Sequence, residues 1–397
     1  MYRRILLTLI LATATVGPAA ALAQEGKAAK APAIVQTPKP VQRPSPTPQP
    51  PPKVQRSPQP SPAPRVYEPH VQASNAQVGP VTMKVARGSK VAVTSRSTRV
   101  LIVGVEGDSL EANATSEAGL EPVQTQVTGD PAHPNILVFV PASHPRRAGK
   151  EVHLSVKVPR YVEIETIESR EGDIEVRGID AGVVINSGSG QVTVNGVASL
   201  KVGSRNGSLN IKDVKGDLLV RSTNGDAVVN SVGGMADVAS TNGSLQVRNV
   251  AGDVRANSAT GNVDIHCAKG RAEVSSASGS ITLVGVAGDA EATTVSGEVV
   301  FKGMIRANGR YNFKSVSGEV EMMVQSDPPG FTATLVTYNG EVETEFRLKV
   351  DTPLQRGPIN RRIVGRYGEG QAQIKLDSFN GAVRLAKGNS SQWKECK

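Results

Sequence analysis

The sequence predicts an all-β chain, a single-stranded β-solenoid (β-helix-like) with ~18-residue coils, set behind a β-rich capping region and a disordered Pro-rich linker. Three observations carry this. Glycines at Gly172, Gly190, Gly207, Gly225, Gly243, Gly261, Gly279 and Gly297 recur at intervals of 18, with a single 17. Around each of them aliphatic and polar residues alternate, the period of a half-buried strand. Aromatic residues make up only 3% of the chain, which suits a narrow interior of Val, Ile, Leu, Ala and Ser.

Residues 1–23 read as a secretory signal: Arg3 and Arg4, an apolar run from Ile5 to Val16, and Ala21-Leu22-Ala23 before a cleavage point at Gln24. The run is short of the ~20 residues a membrane helix needs. The expected product is therefore exported, to the periplasm, the cell surface or the extracellular space, with retention as an uncleaved anchor the alternative. No later segment is apolar enough to span, and the residue directly after the cleavage point is Gln24, not a cysteine that could carry a lipid.

Residues 24–78 are dominated by Pro, Gln, Ser, Ala and Lys/Arg, as in Pro44-Ser45-Pro46-Thr47-Pro48-Gln49-Pro50-Pro51-Pro52. Such a stretch cannot bury a core and predicts an extended spacer, either reaching across an envelope layer or serving as a plain tether. It also holds most of the charge. Of the net +9, Arg3 and Arg4 supply two, and seven Lys/Arg against Glu25 and Glu68 supply five, so only +2 remains beyond the spacer. A basic nucleic-acid-binding face on the folded part is excluded on that ground, and nucleic acid is not an expected partner.

Residues 79–165 are strand-like but off the 18-residue phase, as in Lys90-Val91-Ala92-Val93-Thr94 and Val100-Leu101-Ile102-Val103. They are expected to cover the first coil. Residues 166–388 form the solenoid. Taking Ser240–Asn257 as the type, Leu245 and Val247 lie on one short strand and Val254 and Ala256 on the next, separated by Asn-Gly and Ala-Gly-Asp turns.

Stacking turns equivalent positions into columns. Ile211, Val229, Val247, Ile265, Leu283 and Phe301 form one, and Val214, Val232, Val250, Ala268 and Val286 another; both are core. A third, Ser187, Ser204, Ser222, Ser240, Ser258, Ser276, Thr294, Ser315 and Thr337, is an inward hydroxyl column expected to bond within itself and to the turn backbone. After Gly297 the glycines at Gly318 and Gly340 come 21 and 22 residues on. Tyr338-Asn339-Gly340-Glu341-Val342 and Phe379-Asn380-Gly381-Ala382-Val383 still read as successive coils, with an insertion at 345–373 between them and a tail at 389–397.

The run Val156-Lys157-Val158-Pro159-Arg160, leading into Glu171-Gly172-Asp173-Ile174-Glu175-Val176 and then Ser-x-Asn-Gly coils, resembles the DUF4097 family of adhesin-like bacterial proteins over roughly residues 80–388. The resemblance implies a β-solenoid envelope protein and supplies no catalytic residues to carry over. Some members resemble envelope-stress factors.

A polysaccharide-active β-helix would need clustered carboxylates, or a carboxylate beside a base, on one face. Outward positions of the second strand do give Asp217, Asp237, Asp253, Arg255, Arg271, Glu273, Asp289 and Glu291. Arg271 falls between Asp253 and Asp289 on adjacent coils, so a salt-bridge ladder of Asp253, Arg255, Arg271, Glu273, Asp289 and Glu291 accounts for the cluster; a ligand surface and catalysis are the alternatives. Aromatic platforms for sugars are absent from this reading, since the single Trp393 lies in the tail. His70, His133, His144, His153 and His266 show no metal-ligand spacing, and there is no HExxH, phosphate-binding glycine loop or GxSxG, so no metal, cofactor or catalytic residue is assigned.

Cys267 and Cys396 belong to a chain bound for an oxidising compartment, where pairing is expected. Counted in sequence order, about six coils at ~4.8 Å separate Cys267 from the last coil, about 29 Å. The ten residues from Ala386 to Cys396 reach at most ~33–36 Å, so an intramolecular bond is barely feasible, and a free thiol or an intermolecular bond are its alternatives. The expected function is a non-enzymatic, adhesin-like interaction or scaffold protein of the cell envelope. Its partner would be an envelope or surface component, protein or polysaccharide. A polysaccharide-active enzyme and an envelope-stress regulator are the rivals.

Overall fold

Each coil consists of two strands and two turns. The computed structural model describes residues 77–130, 132–141, 151–350, 361–389 and 396; the signal, the linker up to residue 76, His70, His144 and Trp393 lie outside them. In the middle of the array Ala236–Asn242 turns at Gly243-Ser244 into Leu245–Val250, and Val254–Thr260 begins the next coil. Equivalent strands pair in parallel and in constant register, Val247 with Ile265 and Ala256 with Val274. Two continuous sheets result. The alternation decides which side chains they enclose: Leu245, Val247 and Val250 are buried, while Arg248 is exposed.

The glycine column is steric in origin. Gly243 has φ +145°, and a Cβ there would sit 2.2 Å from the carbonyl oxygen of Gly225 on the coil beneath. Any side chain would force the coils apart. A second turn column, which periodicity did not disclose, is left-handed at Asp213, Ser231, Asn249 and Cys267, with φ of 55°, 62°, 57° and 59°. Asp217 and Asp253 brace these turns by accepting the Met235 and Arg271 backbone N–H of the next coil, each at 2.8 Å.

The hydroxyl column is inward, but it bonds to the turn backbone only in its C-terminal half. Ser258, Ser276 and Thr294 donate to the Gly243, Gly261 and Gly279 carbonyls at 3.3, 3.4 and 3.1 Å, and Ser315 donates to Gly297 at 2.8 Å. The hydroxyls of Ser187, Ser204, Ser222 and Ser240 have no partner. The expectation of a self-satisfied column is corrected there: stacked seryl oxygens do not bond one another.

Order along the stack departs from order along the chain at both ends. Arg310–Ser317 and Val320–Gln325 pair with Ala372–Asn380 and Val383–Gly388, and Phe331–Asn339 and Val342–Thr344 come only after these. The coils at Tyr338 and Phe379 are therefore reversed relative to the sequence expectation. Part of the 345–373 segment closes the end: Arg361–Tyr367 runs antiparallel to Phe331–Asn339, and the Phe331, Phe346 and Tyr367 rings pack at 5.2–5.3 Å. An antiparallel strand on the last coil occupies the edge that would otherwise pair with another chain.

The other end follows the same plan. Lys90–Val105 is itself a solenoid coil, paired in parallel with Glu163–Glu171 and Ile174–Ser189 on one side and with His133–Phe139 and Val152–Pro159 on the other. Ser109–Ser116 and Gly119–Asp130 then run antiparallel over that outer coil. Gln77 and Val78 pair with Val123 and Pro122, so strand structure begins within the segment read as linker.

Candidate functional site

Among the six residues of the expected charge ladder, the structure brings five into ion pairs. Glu273 lies 3.8 Å from both Arg255 and Arg271, and Arg271 reaches Glu291 at 3.0 Å. Arg271 thus bridges two stacked glutamates and does not pair with Asp253 or Asp289, as spacing alone suggested; its long side chain lies toward the neighbouring outward column. Asp253 contributes through the backbone, as described above. Asp289 pairs instead with Arg306 at 2.9 Å, a partner from the irregular stretch that the 18-residue period could not reveal. Burial alone would raise the Asp289 carboxyl, but the Arg306 hydrogen bond, the Arg310 N–H and their charges hold it below the ordinary carboxylate range. Asp237 is held bidentately by Arg221, both contacts at 2.9 Å. Carboxylates paired in this way have their oxygens occupied by fixed partners.

Cys267 and Cys396 are joined by a disulfide, with Cα atoms 4.9 Å apart. The coil count that made this barely feasible followed sequence order. In the stack, only the coils at Ile281, Val299 and Val320 lie between Cys267 and Val383–Gly388, because the coil at Val342 docks outside the last strand, so four coil steps separate them. At ~4.8 Å a step that is about 19 Å, well within reach. Cys396 settles over Gly285, where any Cβ would meet its sulfur at 2.3 Å.

One feature of the surface was missed by reading the columns singly. The position after each inward hydroxyl forms an outward column which, in stack order, runs Arg96, Arg170, Gly188, Arg205, Thr223, Thr241, Ala259, Ala277, Val295, Val316, Phe379, Tyr338. It passes from cationic through small and polar to apolar and aromatic. Val295 is 53% exposed, Phe379 49% and Tyr338 42%. The Phe379 and Tyr338 rings stack face to face, centroids 4.8 Å apart and 2° from parallel. They are 41 residues apart in the chain and adjacent because Phe331–Asn339 and Ala372–Asn380 pair in parallel, Asn339 opposite Asn380. The expectation that aromatic platforms are absent is corrected by this pair.

Among the described residues no group of three or more His, Cys, Asp or Glu is placed to hold a metal ion, and no helix is long and apolar enough to cross a membrane. His266 is half-buried; burial and Arg248 push its imidazole below the ordinary value, against the pull of Asp264.

A solved structure named "putative cell adhesion protein" from Clostridium sporogenes is 10% identical, with 79% of this chain and 100% of that chain covered and a TM-score of 0.18. Another, a "putative adhesin" from Bacteroides fragilis, is also 10% identical, with 78% and 97% covered and a TM-score of 0.27. No curated protein matches the chain. Residues 123–275 and 265–386, more than half of the sequence, match the family described as Toastrack DUF4097, and the chain belongs to that family.

Proposed function

We propose that this is an exported, non-enzymatic, adhesin-like protein that holds a component of the cell envelope or surface against one edge of its solenoid. The observation that carries the reading is the outward column, which ends in exposed Val295, Val316 and the stacked Phe379–Tyr338 pair. Exposed aromatic rings fixed by parallel stacking lose little freedom on binding and offer a flat apolar face, the features that favour contact residues. The carboxylates that could serve chemistry are engaged by arginines or by backbone N–H groups. The disulfide supports export, since such bonds persist outside the reducing cytoplasm.

The test is a photo-crosslinking amino acid placed at Val316 or, separately, at exposed Arg248 on the other sheet, in tagged protein followed through cell fractionation. Adducts in the envelope fraction from position 316 alone support the reading. Equal labelling from both positions, or recovery of the protein in the cytoplasm, contradicts it.

A further inference from the structure

The cationic end of the outward column is not accounted for by ion pairing. Arg96, Arg170 and Arg205 are exposed, and none makes an ion pair with a described residue, whereas many other arginines on the solenoid do. They border a groove of about 1000 Å³ whose lining also includes Thr94, Glu168, Asn186 and Arg221. Arg221 is committed to Asp237, so it forms a wall, and Glu168 offsets one of the three free charges.

The groove exists because two outward positions lack side chains. Gly188 interrupts the arginine column and Gly203 lies beside it. At Gly188 a Cβ would sit 2.4 Å from the Arg170 carbonyl oxygen, so glycine is forced there. At Gly203 it would meet the Asn186 side-chain oxygen at 3.2 Å, a tight contact that a small swing of that side chain relieves, and the Ile185 carbonyl oxygen at an ordinary 3.9 Å, and φ is ordinary. Packing therefore does not demand a glycine at 203, and its effect is to leave space.

We infer that this groove binds an extended, carboxylate-bearing polysaccharide lying along the solenoid axis. The inference rests on the reading of the protein as a binding module and adds a ligand class at a second place on the same column. Arg96, Arg170 and Arg205 occupy the first, second and fourth of successive coils, a span of about 14 Å at ~4.8 Å per coil. Three forked donors in a line suit a chain with repeated anions, each guanidinium able to take one carboxylate through two parallel hydrogen bonds. Thr94 and Asn186 supply neutral polar contacts suited to hydroxyls. A lipid surface fits poorly, because the column beside the groove continues through Gly188, Thr223 and Thr241 and becomes apolar only from Ala259. Nucleic acid fits poorly because no aromatic residue lines the groove on which a base could stack.

The experiment titrates the purified mature chain with polygalacturonate, with neutral dextran, phosphatidylglycerol vesicles and duplex DNA as comparison ligands. Three variants are measured beside it: Arg96→Ala/Arg170→Ala/Arg205→Ala; Gly203→Leu, which fills the groove and keeps every charge; and Lys212→Ala/Arg248→Ala/Lys269→Ala, which removes the same charge from exposed positions outside the groove. The basic linker is common to all. Polygalacturonate affinity is expected to fall roughly tenfold in the first variant, the combined effect of three exposed ion pairs. It should fall clearly in Gly203→Leu and stay within twofold in the third. Equal losses in the first and third variants, no loss in Gly203→Leu, or affinity no higher than for dextran would overturn the inference. So would tighter binding of vesicles or DNA that the arginine variant abolishes. Crosslinking at Val316 is read in cells and on another part of the column, so failure here leaves the envelope-contact reading standing and the reverse also holds.

Discussion

Gln246 and Val247 are neighbours in one strand with opposite fates. Val247 is fully buried between the sheets and Gln246 lies on the outer face. Val247→Asp should therefore cost several kcal/mol, the penalty of burying an unpaired carboxylate, while Gln246→Asp should change little. Denaturant titration checks this, and equal midpoints would contradict the inward assignment. His266 gives a pH signature. Its folded pKa is below the ordinary 6.5, so the unfolded chain takes up the proton first as pH falls. The stability tied to neutral His266 is complete above about pH 6.5 and declines as pH drops below it. His266→Gln should flatten that decline in a series of unfolding midpoints from pH 7.5 to 5 (roughly the span over which an ordinary histidine titrates); an unchanged slope would assign the acid sensitivity elsewhere.

The regular coils were legible because strand period and repeat period coincide: one glycine per coil and one alternation per strand suffice to name the core columns at Val247 and Val250. The stack order at the ends was not legible. Tyr338-Asn339-Gly340 and Phe379-Asn380-Gly381 carry the same pattern, so nothing local says which docks first on Ser315–Ser317, and the answer depends on the antiparallel strand Arg361–Tyr367 that covers the outer one. The same reversal brings the last strand one coil nearer to Cys267 and leaves Tyr338, not Phe379, on the outermost coil. The arginine-to-aromatic column was present in the sequence one position beyond the serines, but its members become a surface only once the coils are aligned across the irregular spacing. The strand order predicts that non-reducing peptide mapping of monomer finds the Cys267 and Cys396 peptides joined. Cys396→Ser should lower stability by ~2–4 kcal/mol, the usual range for a native disulfide. Recovery of the linked peptides only from dimer would contradict the path drawn for the tail.

At the scale of the molecule, one repetition supplies the stability and, on the proposed reading, the binding edge. A coil with two narrow apolar faces is stable only when both neighbours cover it, so the array is cooperative and must be closed at each end, and both ends carry antiparallel strands over the outermost coil. The same stacking lines up outward residues over many coils, and on the proposed reading that long edge is where the ligand lies. The Asp289–Arg306 ion pair is worth only ~0–1 kcal/mol and the hydrogen bond of Asp253 to the Arg271 N–H about 1 kcal/mol, so Asp253→Asn/Asp289→Asn should leave a folded protein.

On the proposed reading the solenoid holds a ligand and does not turn one over. The direct measurement incubates the purified protein with neutral and anionic polysaccharides, with and without calcium, and with isolated envelope material, following released sugar and co-sedimentation together. Holding without turnover predicts no released sugar, co-sedimentation that persists in Asp253→Asn/Asp289→Asn, and its loss in Tyr338→Ala/Phe379→Ala. Reproducible glycan cleavage that disappears in the Asp253→Asn/Asp289→Asn variant, with co-sedimentation indifferent to the aromatic pair, would contradict it.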